Sequence, residues 1–105
     1  MMKPAYIWNI TTKVAAAAHE RWFTWLKEEY IPAFLATGCF YDAMILKLMQ
    51  QEEDGDPTYA VQFYAPSAAN YRQFAELHYA ALKTKMRATW GTDCYSFESA
   101  LQVVN

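Results

Sequence analysis

Three side chains of this 105-residue chain have the chemistry for catalysis on a small molecule: the Glu98 carboxylate and the Asn9 and Gln62 carboxamides. A carboxylate becomes an effective general base when burial raises its pKa. Carboxamides can donate hydrogen bonds to a carbonyl oxygen or an oxyanion. Each residue lies on the more polar side of a predicted strand, so the three would meet if those sides shared one face of a sheet.

Other polar residues alternate with apolar ones in the same strands and extend this candidate site. The predicted ligand-binding residues are Asn9, Thr11, Gln62, Tyr64, Ser96 and Glu98, with Gln102 beyond them. A hydrated or dimer-buried polar layer would give the same pattern, because one face of an antiparallel sheet is commonly less apolar. The pattern alone does not choose between a ligand cavity and such a layer.

Metal and cofactor chemistry has little support in the sequence. His19 and His78 fall on different predicted helices, and no close spacing supplies the three or four ligands that a metal site needs. Cys39 and Cys94 are not in a C-x-x-C arrangement, so we expect reduced thiols. The sequence also lacks a glycine-rich phosphate loop and a nucleophile elbow. We therefore predict no metal site and no cofactor.

Composition and charge exclude several kinds of partner. The net charge is -2, so the chain lacks the basic surface typical of nucleic-acid binding. No apolar run approaches the roughly 20 residues that span a membrane, and the N-terminus does not resemble a secretion signal. We expect one cytoplasmic domain over residues 1–105, with a core formed from the 54% of residues that are hydrophobic.

Hydrophobic periodicity predicts four strands and two helices. The strands are expected at residues 5–14, 40–50, 58–65 and 94–104. Trp22, Trp25 and Tyr30 recur at helical spacing and predict the first helix. A second stripe, from Tyr71 to Leu82 and including Leu77, predicts the second. Ser67 can cap that second helix and Gly91 can end it.

The stretch 22–40 connects the first helix to the second strand. Pro32 is expected to end the helix, because its ring removes an N–H and pushes Ile31 toward an extended conformation. Gly38 is expected to adopt a positive φ that closes a last helical turn and leads into the strand.

The resulting order, β-α-β-β-α-β, predicts an α+β, ferredoxin-like fold with an antiparallel sheet and both helices on one face. The expected strand order is fourth, first, third, second. A charged loop at 51–57, with a turn signal at Asp54 and Gly55, joins the second and third strands as a hairpin. Cys39 and Cys94 would then start opposite edges of the sheet, too far apart for a disulfide.

The chain also resembles a family of small uncharacterised bacterial proteins within the group called dimeric α+β barrels. The matching residues are Trp22, Trp25, Ile31, Pro32, 35–38, Phe40, 58–62, Phe97, Ser99, Leu101, Val103 and Val104. Tyr30 departs from the family pattern, which is expected to have a histidine before the Ile-Pro pair. The resemblance implies the ferredoxin-like fold and dimerisation, and it brings no catalytic residues. The wider group includes cofactor-free monooxygenases, isomerases and haem proteins.

A sheet with helices on one side needs a cover on the other. Ile7, Tyr64 and either Tyr41 or Ile45 would leave an apolar patch there, so we predict a homodimer through this helix-free face. The predicted function is binding of a small molecule or a protein partner without catalysis. The alternative is a cofactor-independent monooxygenase or isomerase acting on a small aromatic or carbonyl compound in a pocket on this face.

Overall fold

The computed structural model describes residues 4–49 and 55–105. Four strands form one antiparallel sheet in the order β2-β3-β1-β4, which confirms the predicted order. The strands are β1 (Tyr6–Val14), β2 (Asp42–Lys47), β3 (Thr58–Ala65) and β4 (Cys94–Gln102). Most of the predicted charged loop at 51–57, including Asp54 of its turn signal, lies outside the described residues.

Three helices connect the strands. The first, α1, has three segments, His19–Trp25, Leu26–Tyr30 and Ile31–Leu35, and the others are α2 (Ala68–Leu77) and α3 (Tyr79–Trp90). Ser67 caps α2 by accepting a hydrogen bond from the backbone N–H of Asn70 at 3.2 Å, and Gly91 ends α3 with a φ of 56°, both as predicted. In the described ranges, no helix is both long and apolar enough to cross a membrane.

Pro32 does not end the first helix, contrary to the prediction. The segment Leu26–Tyr30 is a π-helical turn, and Ile31 continues the helix with φ -59° and ψ -47°. A proline inside a helix lacks an N–H and its ring clashes with the carbonyl four residues earlier. The wider π turn relieves both problems, because its backbone bonds no longer follow the α-helical spacing. Ile31 is therefore helical rather than extended.

Gly38 follows α1 with a φ of +77°, which confirms the predicted left-handed conformation. A Cβ atom at this position would meet no atom within 4 Å, so a substitution is strained by backbone conformation alone. Gly38→Ala is expected to lower the free energy of unfolding by about 1–2 kcal/mol in urea denaturation. Gly38→Asn should lose less, because asparagine tolerates the left-handed region better. A Gly38→Ala protein as stable as the parent would contradict this account.

The core lies between the helices and one face of the sheet, and it is dominated by aromatic rings. Phe34 of α1 stacks on Phe63 of β3 with ring centroids 4.1 Å apart. Phe74 of α2 lies 4.9 Å from the Phe34 ring and packs edge-on against Trp8 of β1. These rings join α1, α2 and the two central strands into one cluster.

No helix of the described residues packs against the opposite side of the sheet. Strand register identifies the residues on that side, because directly paired residues share a face. This helix-free face comprises Ile7, Asn9, Thr11 and Lys13 of β1, Thr58, Ala60, Gln62 and Tyr64 of β3, Tyr95, Phe97, Ser99 and Leu101 of β4, and Asp42, Met44 and Leu46 of β2. Tyr41 extends this face, since its ring lies 6.2 Å from that of Tyr64. Ile45 packs against the core on the other side.

Candidate functional site

The strand register separates the predicted site residues into two groups. Asn9, Thr11, Gln62 and Tyr64 share the helix-free face. Ser96 and Glu98 pair with Thr12 and Ile10 and therefore lie on the helix side of β4, together with Gln102. The condition for one shared site, that all of them lie on one face, is therefore not met. β4 turns its apolar side chains away from the helices, and the alternation of apolar and polar residues along a strand does not show which set faces the helices.

The polar residues of the helix-free face bond to one another. Asn9 Nδ2 donates a hydrogen bond to Thr11 Oγ1 at 3.2 Å, and the Tyr64 hydroxyl donates to Gln62 Oε1 at 3.3 Å. Asn9 is 8% exposed although no helix covers it. The centre of this face is therefore a paired polar layer.

Glu98 and Ser96 lie instead in a cleft between α3 and β4, with a volume of about 320 Å³. The α3–β4 cleft is lined by Tyr79, Lys83, Met86, Arg87, Gly91, Thr92, Cys94, Tyr95, Ser96 and Glu98. The helical residues recur at every third or fourth position, so one side of α3 forms one wall. Ser96 is held by a hydrogen bond of 2.7 Å between its hydroxyl and that of Thr12.

An ion pair lies at the mouth of the cleft. Lys83 Nζ is 3.3 Å from Glu98 Oε1, and both side chains are about one third exposed. Burial alone would raise the pKa of Glu98, but hydrogen bonds from Tyr79 and Lys83, with the charge of Lys83, lower it overall. Burial and the same carboxylate raise the pKa of Tyr79. Glu98 is therefore ionised and Tyr79 protonated at neutral pH.

Tyr30 of α1 is buried and does not line the cleft. Burial raises the pKa of Tyr30, and the negative charge of Glu98 raises it further. Tyr30 also borders a void of about 10 Å³ between the sheet and α1. Met86 and Ser96 line both the void and the cleft, so these two side chains separate them.

Three buried polar atoms have no hydrogen-bond partner in the described ranges: Tyr30 Oη, Trp8 Nε1 and Trp90 Nε1. Each residue is more than nine-tenths buried, and none of the three lines the cleft. Trp8 packs against Tyr79 at the start of α3 with ring centroids 4.6 Å apart, while Trp90 is the last residue of that helix, about 16 Å further along its axis. These unpaired groups are therefore dispersed through the core and do not mark one site.

Neither the histidines nor the cysteines supply a reactive group to the cleft. His19 Nε2 is 2.7 Å from the Tyr59 hydroxyl, a contact that ties α1 to β3. Cys39 and Cys94 are buried free thiols, as predicted. Burial and the Asp93 charge raise the pKa of Cys94, although a hydrogen bond with Ser96 opposes this. No three metal-ligating side chains converge within residues 4–49 and 55–105.

Sequence reasoning missed most of this cleft. The helical residues that line it were not among the predicted site residues: Tyr79, Lys83, Met86 and Arg87. The helical spacing of these four indicates a common wall, but it does not show which strand lies opposite. That depends on how β4 is oriented at the edge of the sheet.

A family model described as a domain of unknown function (DUF4286) matches residues 5–104. A search of curated protein sequences finds no significant relative. Solved structures with the same fold are similar over nearly the whole chain. At 12% identity, a dimeric ferredoxin-like protein from an uncultured marine organism superposes with a TM-score of 0.68, covering 96% of each chain.

Two other solved structures are described as oxygenases. A point mutant of the cofactor-independent oxygenase SnoaB from Streptomyces nogalater has a TM-score of 0.63 at 14% identity, covering 96% of this chain and 95% of its own. A putative antibiotic biosynthesis monooxygenase from Bacillus cereus has a TM-score of 0.63 at 15% identity, covering 98% and 96%. At these identities the likeness shows the ferredoxin-like, dimeric α+β barrel type of fold and nothing about chemistry.

Proposed function

The chain belongs to the DUF4286 family of domains of unknown function, and within it we propose a homodimeric domain that binds a small organic molecule in the α3–β4 cleft without catalysis. The observation that carries this proposal is the cleft itself, which has a volume of about 320 Å³ and is lined by both apolar and charged side chains. The Lys83–Glu98 ion pair and Arg87 supply polar groups that can orient a ligand there.

The protonation states of the cleft favour binding over catalysis. General acid–base catalysis works best when a group has a pKa near the working pH. The pKa of Glu98 is lowered, while those of Tyr30, Tyr79 and Cys94 are raised. All four shifts hold these groups in one protonation state near neutral pH. None of them is poised to exchange a proton with a ligand.

A cofactor-independent oxygenase or isomerase is the second candidate. Two structures of this fold are described as oxygenases, and the cleft holds a carboxylate next to a tyrosine, Glu98 and Tyr79. Such chemistry would need a ligand that raises the pKa of Glu98, for instance by displacing Lys83. The proposal of a binding domain requires no such rearrangement.

The homodimer is supported by the helix-free face. Phe97 is 61% exposed there and Met44 is 48% exposed, while Leu46 and Leu101 are about two fifths exposed. These apolar side chains come from the two edge strands, and the paired polar layer around Asn9 lies between them. In a two-fold dimer, each subunit would cover this patch on the other. Similar structures are described as dimeric.

A stability test compares two tyrosines that are both 7% exposed, Tyr30 and Tyr59. Tyr30→Phe removes an unpaired hydroxyl, so the free protein should gain about 1–2 kcal/mol in thermal or urea unfolding. Tyr59→Phe breaks the 2.7 Å contact with His19 and should lose about 0.5–1.5 kcal/mol. Ligand binding is tested separately by an NMR fragment screen, whose hits should shift signals of the residues that line the cleft and should bind Arg87→Met more weakly than the parent.

Opposite signs for the two variants are the expected result. If Tyr30→Phe destabilises the free protein as Tyr59→Phe does, the Tyr30 hydroxyl is satisfied within the fold. The binding function itself is refuted if the fragment screen finds no ligand that shifts signals of the residues lining the cleft.

A further inference from the structure

We propose that Met86 is a gate between the α3–β4 cleft and the void beside Tyr30, and that the ligand is an uncharged apolar molecule whose hydrogen-bond acceptor reaches the Tyr30 hydroxyl past this gate. This inference rests on the proposed function and specifies the chemistry of its ligand. Two separate observations carry it. The cleft and the void share a wall, and a residue with an unpaired hydroxyl borders the void.

The void lies between the sheet and the first helix. Most of the residues that line it are apolar, and three carry hydroxyl groups: Thr12, Ser96 and Tyr30. At about 10 Å³ it has room for no more than a single water molecule. A ligand can therefore enter only if part of the wall moves. The residues common to the void and the cleft are Met86 and Ser96, so one of these two must open the way.

Met86 is the part of this wall that can move. The Ser96 hydroxyl is held 2.7 Å from that of Thr12, and Ser96 belongs to a strand that is paired along its length with β1. Met86 projects from α3 and is unbranched, with three rotatable side-chain bonds, so it adapts its shape easily. The open cleft on its other side gives the side chain room to rotate. Such a rotation would join the void and the cleft into one site.

Tyr30 offers an unsatisfied donor to a ligand that passes this gate. Its side chain is 7% exposed, and its hydroxyl has no hydrogen-bond partner among the residues that the structure describes. Trp8 and Trp90, which carry the other unpaired donors, do not border the void. A buried donor without a partner is unfavourable, and a ligand that accepts its hydrogen bond removes that penalty. The ligand must therefore bring an acceptor to Tyr30.

The acceptor is expected to be uncharged. The negative charge of Glu98 helps to raise the pKa of Tyr30, which means that it opposes a second negative charge at the phenol oxygen. The same repulsion opposes a carboxylate placed beside that oxygen, and burial among apolar side chains adds to the cost. A carbonyl or ether oxygen accepts a hydrogen bond without bringing a charge. The remainder of the ligand can be apolar, like most of the void's lining.

The test compares acetophenone with α-methylstyrene, which has nearly the same shape but a methylene group in place of the carbonyl oxygen. Binding to the full chain is followed by NMR, through the methyl signal of Met86 and the indole N–H signal of Trp22, a residue that borders the void but not the cleft. We expect acetophenone to shift both signals. It should bind about fivefold more tightly than α-methylstyrene, the effect of one hydrogen bond between uncharged groups. Benzoate, the charged analogue, should bind more weakly than acetophenone.

Two variants test the donor and the gate separately. Tyr30→Phe should abolish the preference for acetophenone, whereas Tyr59→Phe should retain it, because Tyr59 does not border the void. Met86→Ile keeps a similar side-chain volume but restricts rotation about χ1, so acetophenone should no longer shift the Trp22 signal. Met49→Ile, at a residue that is 98% exposed, should leave that shift unchanged.

Any of three results would overturn the inference. Equal binding of acetophenone and α-methylstyrene, or a preference that survives in Tyr30→Phe, would show that no acceptor reaches the hydroxyl. A Trp22 signal that acetophenone leaves unshifted in the parent, or shifts equally in Met86→Ile, would show that Met86 is not a gate. Benzoate binding as tight as that of acetophenone would refute the selection for an uncharged ligand. The proposed function would survive all three, because it fails only if no fragment shifts signals of the cleft-lining residues.

Discussion

A lysine in place of Phe97 is expected to weaken self-association by at least about two orders of magnitude. Phe97 is 61% exposed on the helix-free face, in register with Thr11 of the central strand β1. In the proposed dimer this position is covered by the second copy, so the ammonium would be buried. Lys13 shares the face and carries the same charge, so it would repel the new ammonium. An unpaired buried charge costs about 3–5 kcal/mol, so even one of the two lysines buried in a two-fold dimer would produce that loss of affinity.

Sedimentation equilibrium over a concentration series measures the effect. Leu77→Lys is the matched control, because Leu77 is 69% exposed but lies on α2, on the other side of the sheet. It should associate like the parent. If the Phe97→Lys protein remains as dimeric as the parent, the interface does not lie on this face. A monomeric parent would refute the homodimer itself.

Truncation of Phe34 is expected to have the largest effect on stability. Its side chain is fully buried and stacks on Phe63 at 4.1 Å, with Phe74 at 4.9 Å and Tyr30 at 4.8 Å. Phe34→Ala removes a ring shared by α1, α2 and β3 and leaves a cavity among rigid neighbours. Such substitutions cost about 3–5 kcal/mol, which urea denaturation at one fixed protein concentration would measure.

Phe34→Leu serves as the milder variant if Phe34→Ala does not fold, and it should lose only part of this amount. Leu77→Ala is the exposed control and should change the free energy of unfolding by no more than about 0.5 kcal/mol. A loss below about 1 kcal/mol for Phe34→Ala would show that the ring is not tightly packed, because the cavity would have collapsed.

The topology could be predicted because it depends on features encoded in short stretches of the sequence. Connection lengths determine the strand order, and the bounds 58–65 of the third strand are those of β3. Ser67, Gly38 and Gly91 each mark a helix end through backbone chemistry that acts within a few residues. Such signals do not depend on what packs against the element.

Other features depend on contacts between distant segments and could not be predicted. The alternation in β4 is the same whether Phe97 faces the helices or a partner, so periodicity could not place Glu98. Leu77 fits the apolar stripe of the predicted second helix, but the chain breaks at His78, with φ -124° and ψ -33°, and Leu77 faces solvent. The unpaired hydroxyl of Tyr30 arises only when α1, α3 and β4 meet.

The π turn at Leu26–Tyr30 also changes the direction in which the later side chains of the first helix point. A π turn absorbs one extra residue, and one residue corresponds to about 100° of rotation around a helix axis. Trp22 and Phe34 are twelve positions apart, which in an uninterrupted α-helix would place them about 120° apart. With one residue absorbed, the angle falls to about 20°. A single inserted residue thus brings two otherwise divergent aromatic side chains onto the same sheet face, and Tyr30 is the last residue of the turn that makes this adjustment.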